Sequence, residues 1–251
     1  MSDCKSVKIP IDINTKLKST SEESNTLNGI SYQEIIGCLL YISHITRPDI
    51  SFVINLLSQY NQKPEMAHWI LLKRVMRYLK GTEDNRLSYK QNAEETMTPG
   101  FCDTDWAGSE DHRRSCTGYI FLFQGGAISW SSKRQPTVVL STTEAEYMSL
   151  SSCVQESMWL KQLQETFWPL LKNEAMIIYS DNQSSIKLSK SDGYHSRTKH
   201  IDVRHHYVRD KTVEGAIDVQ YIQTDLMVAD ALTKATSHAK LAYCASTIGL
   251  I

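Results

Sequence analysis

Four acids stand on stretches whose neighbours belong in a core: Asp103, Glu146, Asp181 and Asp230. Asp103 follows the apolar Phe101 in PGFCDTDWAG, and Asp105 lies two residues on, on the same face of a strand. Asp181 closes the apolar run from Met176 to Tyr179, at the carboxyl end of a buried-type strand, where α/β sheets often gather their sites. Asp230 lies between Ala229 and Ala231 in LMVADALTKA, which reads as a final helix. Glu146 shares STTEAEYMSL with Glu144, and spacing separates the two. With Ser141 as N-cap, Glu144 takes the position that closes a capping box and offsets the positive end of the helix dipole. At roughly 100° per residue, Glu146 shares a face with Leu150, Cys153, Ser157 and Leu160, within about 40°, while Glu144 points about 160° away. A carboxylate at the head of an apolar face needs a hydrogen bond, a basic partner or a metal. Each acid has a bland reading, a buried ion pair for Glu146 and a strand end or helix start for the aspartates. Gathered together, however, four carboxylates repel one another and take up protons unless cations hold them. Mg²⁺ prefers such oxygen ligands, and two divalent ions form a clamp for in-line hydrolysis of phosphodiesters.

These acids need elements to position them. Apolar spacing predicts three helices, in SYQEIIGCLLYISHI (opened by a Ser31/Glu34 capping box), in TRPDISFVINLLSQY with Pro48 near its start, and in PEMAHWILLKRVMRYLKGT, which stops at Gly81. After Gly100 the pattern changes to strands. GYIFLF and AISWSS are joined by QGG, a hairpin signal. A helix from Ser141 to about Phe167 follows, then the strand AMIIYSDN and the helix QSSIKLSK. A histidine-rich segment helical after Ile201, the strand AIDVQYI and the helix around Asp230 complete the chain. The order β-β-β-α-β-α-α-β-α predicts an α/β fold, a mixed five-stranded sheet flanked by helices and preceded by a small helical subdomain. The expected division is a flexible lead-in at 1–30, a helical region at 31–95, the α/β domain at 96–236 and a weakly amphipathic tail at 237–251.

Composition bounds the function. The 251 residues carry a formal net charge of −1, so a polyanion would have to be held by local basic patches or bound cations. One such patch is the stripe Lys73, Arg74, Arg77 and Lys80 on the third helix, whose bland reading is a solvated face. The 6 cysteines have no zinc or redox spacing, and read as reduced thiols in an intracellular setting. The N-terminus has no signal-peptide pattern, and no apolar run is long enough to span a bilayer, so no membrane partner is expected.

The sequence from about Ser31 to Ala235 resembles the C-terminal part of the Pol polyprotein of copia-type LTR retrotransposons. Seven stretches carry the likeness in order: YISHITRPDISFVINLLSQY, HWILLKRVMRYLKGT, FCDTDWAGSEDHRRSCTGYIFLF, ISWSSKRQPTVVLSTTEAEYMSL, YSDNQSSIKL, RTKHIDVRHHYVRDK and VADALTKA. The resemblance implies a ribonuclease H-like domain from DTDWAG onward, after helices like the thumb and connection of a reverse transcriptase. It implies that Asp103, Glu146, Asp181 and Asp230 are catalytic and hold two Mg²⁺ (or Mn²⁺) ions. Water would then cleave the RNA strand of an RNA·DNA hybrid, leaving 3′-hydroxyl and 5′-phosphate ends, with the 2′-hydroxyl telling RNA from DNA. Gln183 sits where related enzymes touch the RNA strand. The reverse transcriptase palm and fingers of the same polyprotein are the implied protein partner. The implied location is intracellular, in a cytoplasmic virus-like particle or the nucleus.

The sequence departs from the family of cellular ribonucleases H in one respect. Their loop before the last aspartate usually carries a flexible histidine; here YIQTDLMVAD has none, and Asp225 does not replace an imidazole as a proton shuttle. His195, His200, His205 and His206 lie earlier and lack zinc spacing; His200 and His206 could contact a hybrid, and the bland reading is a polar helix surface. A polymerase's Tyr-x-Asp-Asp motif is absent, so no polymerase activity is expected of this chain alone. Gln183, Arg197, Lys199, Arg204, Lys73 and Arg77 are the candidate nucleic-acid contacts. Two other functions compete. One is a catalytically inactive nucleic-acid-binding relic, using Arg197, Lys199, Arg204, Arg209 and Lys211 on phosphates. The other is a DDE-type integrase or transposase, in which the acids run Asp, Asp, Glu; here they run Asp, Glu, Asp, Asp.

Overall fold

A computed structural model describes residues 4–15, 17, 31–90, 98–106, 108, 113–169, 174–191 and 199–251, with backbone alone at 199–203 and 205. Three helices come first: α1 (Tyr32–Ile45), α2 (Ser51–Ser58) and α3 (Met66–Lys80). In α1 the residues that turn inward are Tyr32, Ile36, Leu39 and Ser43, a helical stripe. The Ser31 side chain makes no capping hydrogen bond, so the expected capping box is not formed there. Between α1 and α2, Pro48–Ile50 forms a 3-10 helix. There the buried Arg47 guanidinium grips Asp49 with two hydrogen bonds of 2.9 and 2.7 Å, and the Tyr78 hydroxyl donates to the same carboxylate at 2.6 Å. The geometry offsets the desolvation of both charges and locks α3 to the α1–α2 corner.

The sheet has five strands: β1 (Gly100–Asp105), β2 (Cys116–Phe123), β3 (Gly126–Arg134), β4 (Met176–Ser180) and β5 (Ile217–Tyr221). Their order is β3-β2-β1-β4-β5. β1, β2 and β3 run antiparallel, and β4 joins β1, and β5 joins β4, in parallel. The β2–β3 turn uses Gln124 at φ 53° and Gly125 at φ 72°. Two successive positive φ angles match the strand twist in a tight hairpin. The parallel pairs require crossovers: α4 (Thr142–Phe167) connects β3 to β4, and α5 (Gln183–Lys190) with α6 (Lys199–Val213) connects β4 to β5. This is the mixed five-stranded sheet flanked by helices that the sequence predicted.

Alternation along β1 divides the core. Cys102 faces a cluster with Leu150, Cys153 and Val154 of α4, Ile178 of β4 and Val219 of β5. Phe101 faces a second cluster that includes Ile36 of α1, Ile54 of α2 and Leu72 of α3. The helical region therefore shares one continuous apolar core with the sheet. Two hydrogen bonds fix the docking, from Asn55 Nδ2 to the Ser132 carbonyl at 2.8 Å and from Trp130 Nε1 to the Ser43 carbonyl at 2.8 Å.

Both ends of the chain differ from expectation. Where a flexible lead-in was expected, Ile11 is buried and the Arg74 guanidinium pairs with Asp12 at 2.7 Å. Arg77 Nε and Lys80 Nζ donate to the carbonyls of Lys5 and Cys4 at 2.7 and 3.0 Å. Where a tail was expected, α7 (His238–Thr247) buries Leu241 and Cys244. The final residues bridge back to the segment after α3: Leu250 opposes Leu87, and the amide of Arg86 donates to the Ile251 carbonyl at 2.8 Å. Asp230 is thus not on the final helix; it lies on a 3-10 helix, Val228–Leu232, one element earlier.

Candidate active site

The end of α4 that carries Glu146 is built as its sequence suggested, with one difference. Ser141 Oγ accepts from the Glu144 amide at 3.2 Å, and Glu144 Oε2 accepts from the amide of Leu140 at 3.1 Å, one residue before the cap. Glu144 is occupied with the helix end. Glu146 points the other way, and its buried Oε2 has no hydrogen-bond partner.

Two side chains hold this first stretch of α4 against β1. Gln135 Nε2, just after β3, donates to the Ala145 carbonyl at 3.0 Å and to Thr117 Oγ1 at 3.0 Å. Ser149 Oγ donates to the Asp103 carbonyl at 2.7 Å. Ala145, beside Glu146, is therefore tied through Gln135 to β2, and Ser149, one turn on, directly to the Asp103 carbonyl of β1. Asp181 follows β4, the parallel neighbour of β1. Carboxylate oxygens of Asp103, Glu146 and Asp181 lie within 4.8 Å of one another, from three separate elements.

Asp230 stands apart from that trio. Its 3-10 helix lies against β2 where Gly118 opposes Asp103, and a Cβ built on Gly118 would come 2.6 Å from Thr233 Cγ2 and 2.9 Å from Leu232 Cβ. Only a residue without a side chain lets the turn come so close. Asp230 Oδ1 meets Lys234 Nζ at 2.7 Å, an ion pair without hydrogen-bond geometry, and Oδ2 meets Lys240 Nζ at 3.1 Å. Lys234 also reaches Asp103 Oδ2 at 3.4 Å, and the Thr233 hydroxyl donates to that oxygen. Thr224 Oγ1 donates to Asp181 Oδ2 at 2.8 Å, while the Thr224 carbonyl accepts from Lys240 at 2.7 Å. Sequence reasoning missed both lysines. Lys234 carried a signal, falling one helical turn after Asp230; Lys240 carried none, because its reach depends on how α7 folds back.

Burial raises the Glu146 carboxyl to about 9, with the charges of Asp103 and Asp181 adding to it. Burial also lifts Asp103 to about 7, against the pull of Lys234. Burial works against the charge on Lys234, but Asp103 and Asp230 outweigh it and raise its pKa. Carboxyls that resist ionisation, together with one unpartnered buried oxygen, fit a hard divalent cation, which would restore the charge balance.

The other expected contacts scatter. Gln183 is exposed as the first residue of α5, two residues after Asp181. Arg204 is half-buried on α6, while Arg197 and the side chain of Lys199 lie outside the described residues. Arg209 Nη2 and His206 Nδ1 are 3.2 Å apart, and Lys211 pairs with Glu214 at 2.6 Å. On α3, Arg77 is taken up by the N-terminal segment, and Lys73 is exposed with its ammonium 5.8 Å above the Trp69 ring.

No family model matches the chain. It is 38% identical to the Retrovirus-related Pol polyprotein from transposon TNT 1-94 of Nicotiana tabacum, over 100% of its own length and 19% of that protein. The chain belongs to the Pol polyproteins of copia-type transposons. A second Pol polyprotein, from transposon RE2 of Arabidopsis thaliana, is 37% identical over 98% of this chain and 16% of its own length. The chain thus spans less than a fifth of the length of these Pol relatives. Among solved structures, LC11-RNase H1 isolated from compost aligns with 55% of this Pol chain and 93% of its own at 13% identity and a TM-score of 0.40. The strand order and register, rather than that likeness, define the fold of this Pol chain. No helix among the described residues is long and apolar enough to cross a membrane.

Proposed function

We propose that this Pol chain is a divalent-metal-dependent endonuclease that hydrolyses the RNA strand of RNA·DNA hybrids. The observation that carries the reading is the convergence of Asp103, Glu146 and Asp181 within 4.8 Å, with Glu146 Oε2 buried and unpartnered. Divalent ions, Mg²⁺ or Mn²⁺ and two when the site is full, would supply the Lewis acidity for in-line attack of water on a phosphodiester. The chain's own residues do the rest. Asp103, Glu146 and Asp181 would hold an ion, and Asp230 would complete the set. Gln135 and Ser149 keep Glu146 in register with Asp103. Thr224 orients Asp181 through its hydroxyl. Gln183 is exposed beside the acids, free to meet the RNA strand, and Arg204 with its neighbours on α6 would meet phosphates. The reverse transcriptase palm and fingers of the same polyprotein remain the proposed protein partner.

Cleavage of an end-labelled RNA·DNA hybrid with Mg²⁺ or Mn²⁺ tests this reading. The native chain and Glu144→Gln should cut the RNA strand, and Asp103→Asn and Glu146→Gln should not. A folded native chain that binds the hybrid and cuts nothing with either metal would leave a binding protein in place of an enzyme.

A further inference from the structure

Lys234 is placed where a cation is wanted. Its ammonium lies 2.7 Å from Asp230 Oδ1 and 3.4 Å from Asp103 Oδ2, so it bridges two carboxylates that are 95% and 98% buried at the side chain. Lys240 differs from it. Lys240 Nζ donates to the carbonyls of Thr224 and Asp225 at 2.7 and 2.8 Å, besides lying 3.1 Å from Asp230 Oδ2. Its position is fixed by the loop it holds. The Lys234 side chain is 36% exposed, and its contact with Asp230 Oδ1 lacks hydrogen-bond geometry. No backbone carbonyl among the described residues anchors it, unlike Lys240, and it has solvent to move into.

The acids thus fall into two halves. Asp103, Glu146 and Asp181 form a trio open to one ion, while the space between Asp103 and Asp230 already contains a positive charge. We propose that Lys234 is a built-in cation that competes with the second divalent ion: the chain binds one ion tightly at the trio, and a second only as the Lys234 ammonium swings out from between Asp103 and Asp230. The inference rests on the metal-site reading above and deepens it. It makes Lys234 a positioning residue, keeping Asp230 and Asp103 neutralised and in place until the second ion arrives. Like charges a few ångströms apart near a protein surface repel, so the two cations exclude each other.

Binding of Mn²⁺ to the full chain without nucleic acid, read as free Mn²⁺ by electron paramagnetic resonance, tests this apart from activity. The native chain should take up one ion tightly and a second much more weakly. Lys234→Met should tighten the second by about tenfold or more, and Lys234→Arg, which keeps the charge, should not. Lys240→Met should tighten it less than Lys234→Met, since it leaves the Asp103–Asp230 bridge intact. Equal tightening in the two methionine variants, or none in Lys234→Met, overturns the inference. A native chain that binds no Mn²⁺ overturns the metal-site reading beneath it. If Lys234→Met does not fold, the native chain still decides: the Lys234 ammonium resonance should shift at the second equivalent of Mg²⁺ and not at the first, and a shift completed at the first overturns the inference.

Discussion

Glu144 and Glu146, two residues apart, meet different surroundings. Glu144 accepts a backbone amide at the helix end, so Glu144→Gln should cost about 0.5–1 kcal/mol of stability in urea unfolding and leave cleavage intact. Glu146 and Asp103 have carboxyls raised to about 9 and about 7. A carboxyl whose pKa is higher in the folded chain than in the unfolded one contributes stability below the unfolded value, and that contribution is lost as pH rises through the folded value. In a chelator, stability should therefore fall as pH rises from 4.5, the ordinary glutamate value, toward about 9. Thermal unfolding at intervals across that window, with EDTA, measures the slope. Glu146→Gln should flatten it, and Mg²⁺ should stabilise the native chain most at the alkaline end, where both carboxylates are needed charged. A slope unchanged in Glu146→Gln would show that this carboxyl is not the one resisting ionisation.

At the scale of elements, the site depends on how closely a turn can approach a strand. The Asp230 3-10 helix sits on Gly118, opposite Asp103. Gly118→Ala should lift that turn, leaving the sheet folded while weakening Asp230's contribution; the expected result is a fall in cleavage of about tenfold or more with a stability loss of about 1–3 kcal/mol. Full activity in a folded Gly118→Ala chain would show that Asp230 need not sit so close. Ser149→Ala removes the hydrogen bond between α4 and the Asp103 carbonyl, and should cost about 1–3 kcal/mol in urea unfolding because a buried carbonyl loses its donor. These contacts explain what was legible in the sequence and what was not. The strands, α4 and the inward aim of Glu146 follow from local periodicity, and the structure forms them as spaced. Asp181 was legible because an apolar run ends in it. The element under Asp230 was misread, since five residues of apolar pattern do not separate a 3-10 helix from an α-helix. The basic stripe of α3 was ambiguous for another reason: charge shows in sequence, but its partners, here the carbonyls of Lys5 and Cys4, are about seventy residues away and carry no side-chain signal.

For the whole molecule, the division into a helical region and an α/β domain does not match how apolar surface is buried. One cluster runs from Ile36 and Leu72 through Ile120 to Leu241 and Ile248, and so includes both regions and α7. A chain cut to 96–236 should lose the cover on one face of its sheet and show exposed apolar surface by dye binding and a non-cooperative melt. A cooperative transition in that fragment, matching the full chain, would show that the helices are dispensable to the sheet. The strap at the very end has its own implication. The amides of Arg86 and Ser88 donate to the carbonyls of Ile251 and Gly249, and Ile248 and Leu250 complete the core. Those residues leave the ribosome long after the helices they cover. Helices made early must therefore wait, partly uncovered, until residues 248–251 emerge, because long-range contacts set the pace of closure. A nascent chain stalled before Thr236 should be cut by protease within 31–80, and extension past Ile251 should protect it; protection while stalled would mean that the early helices find cover of their own.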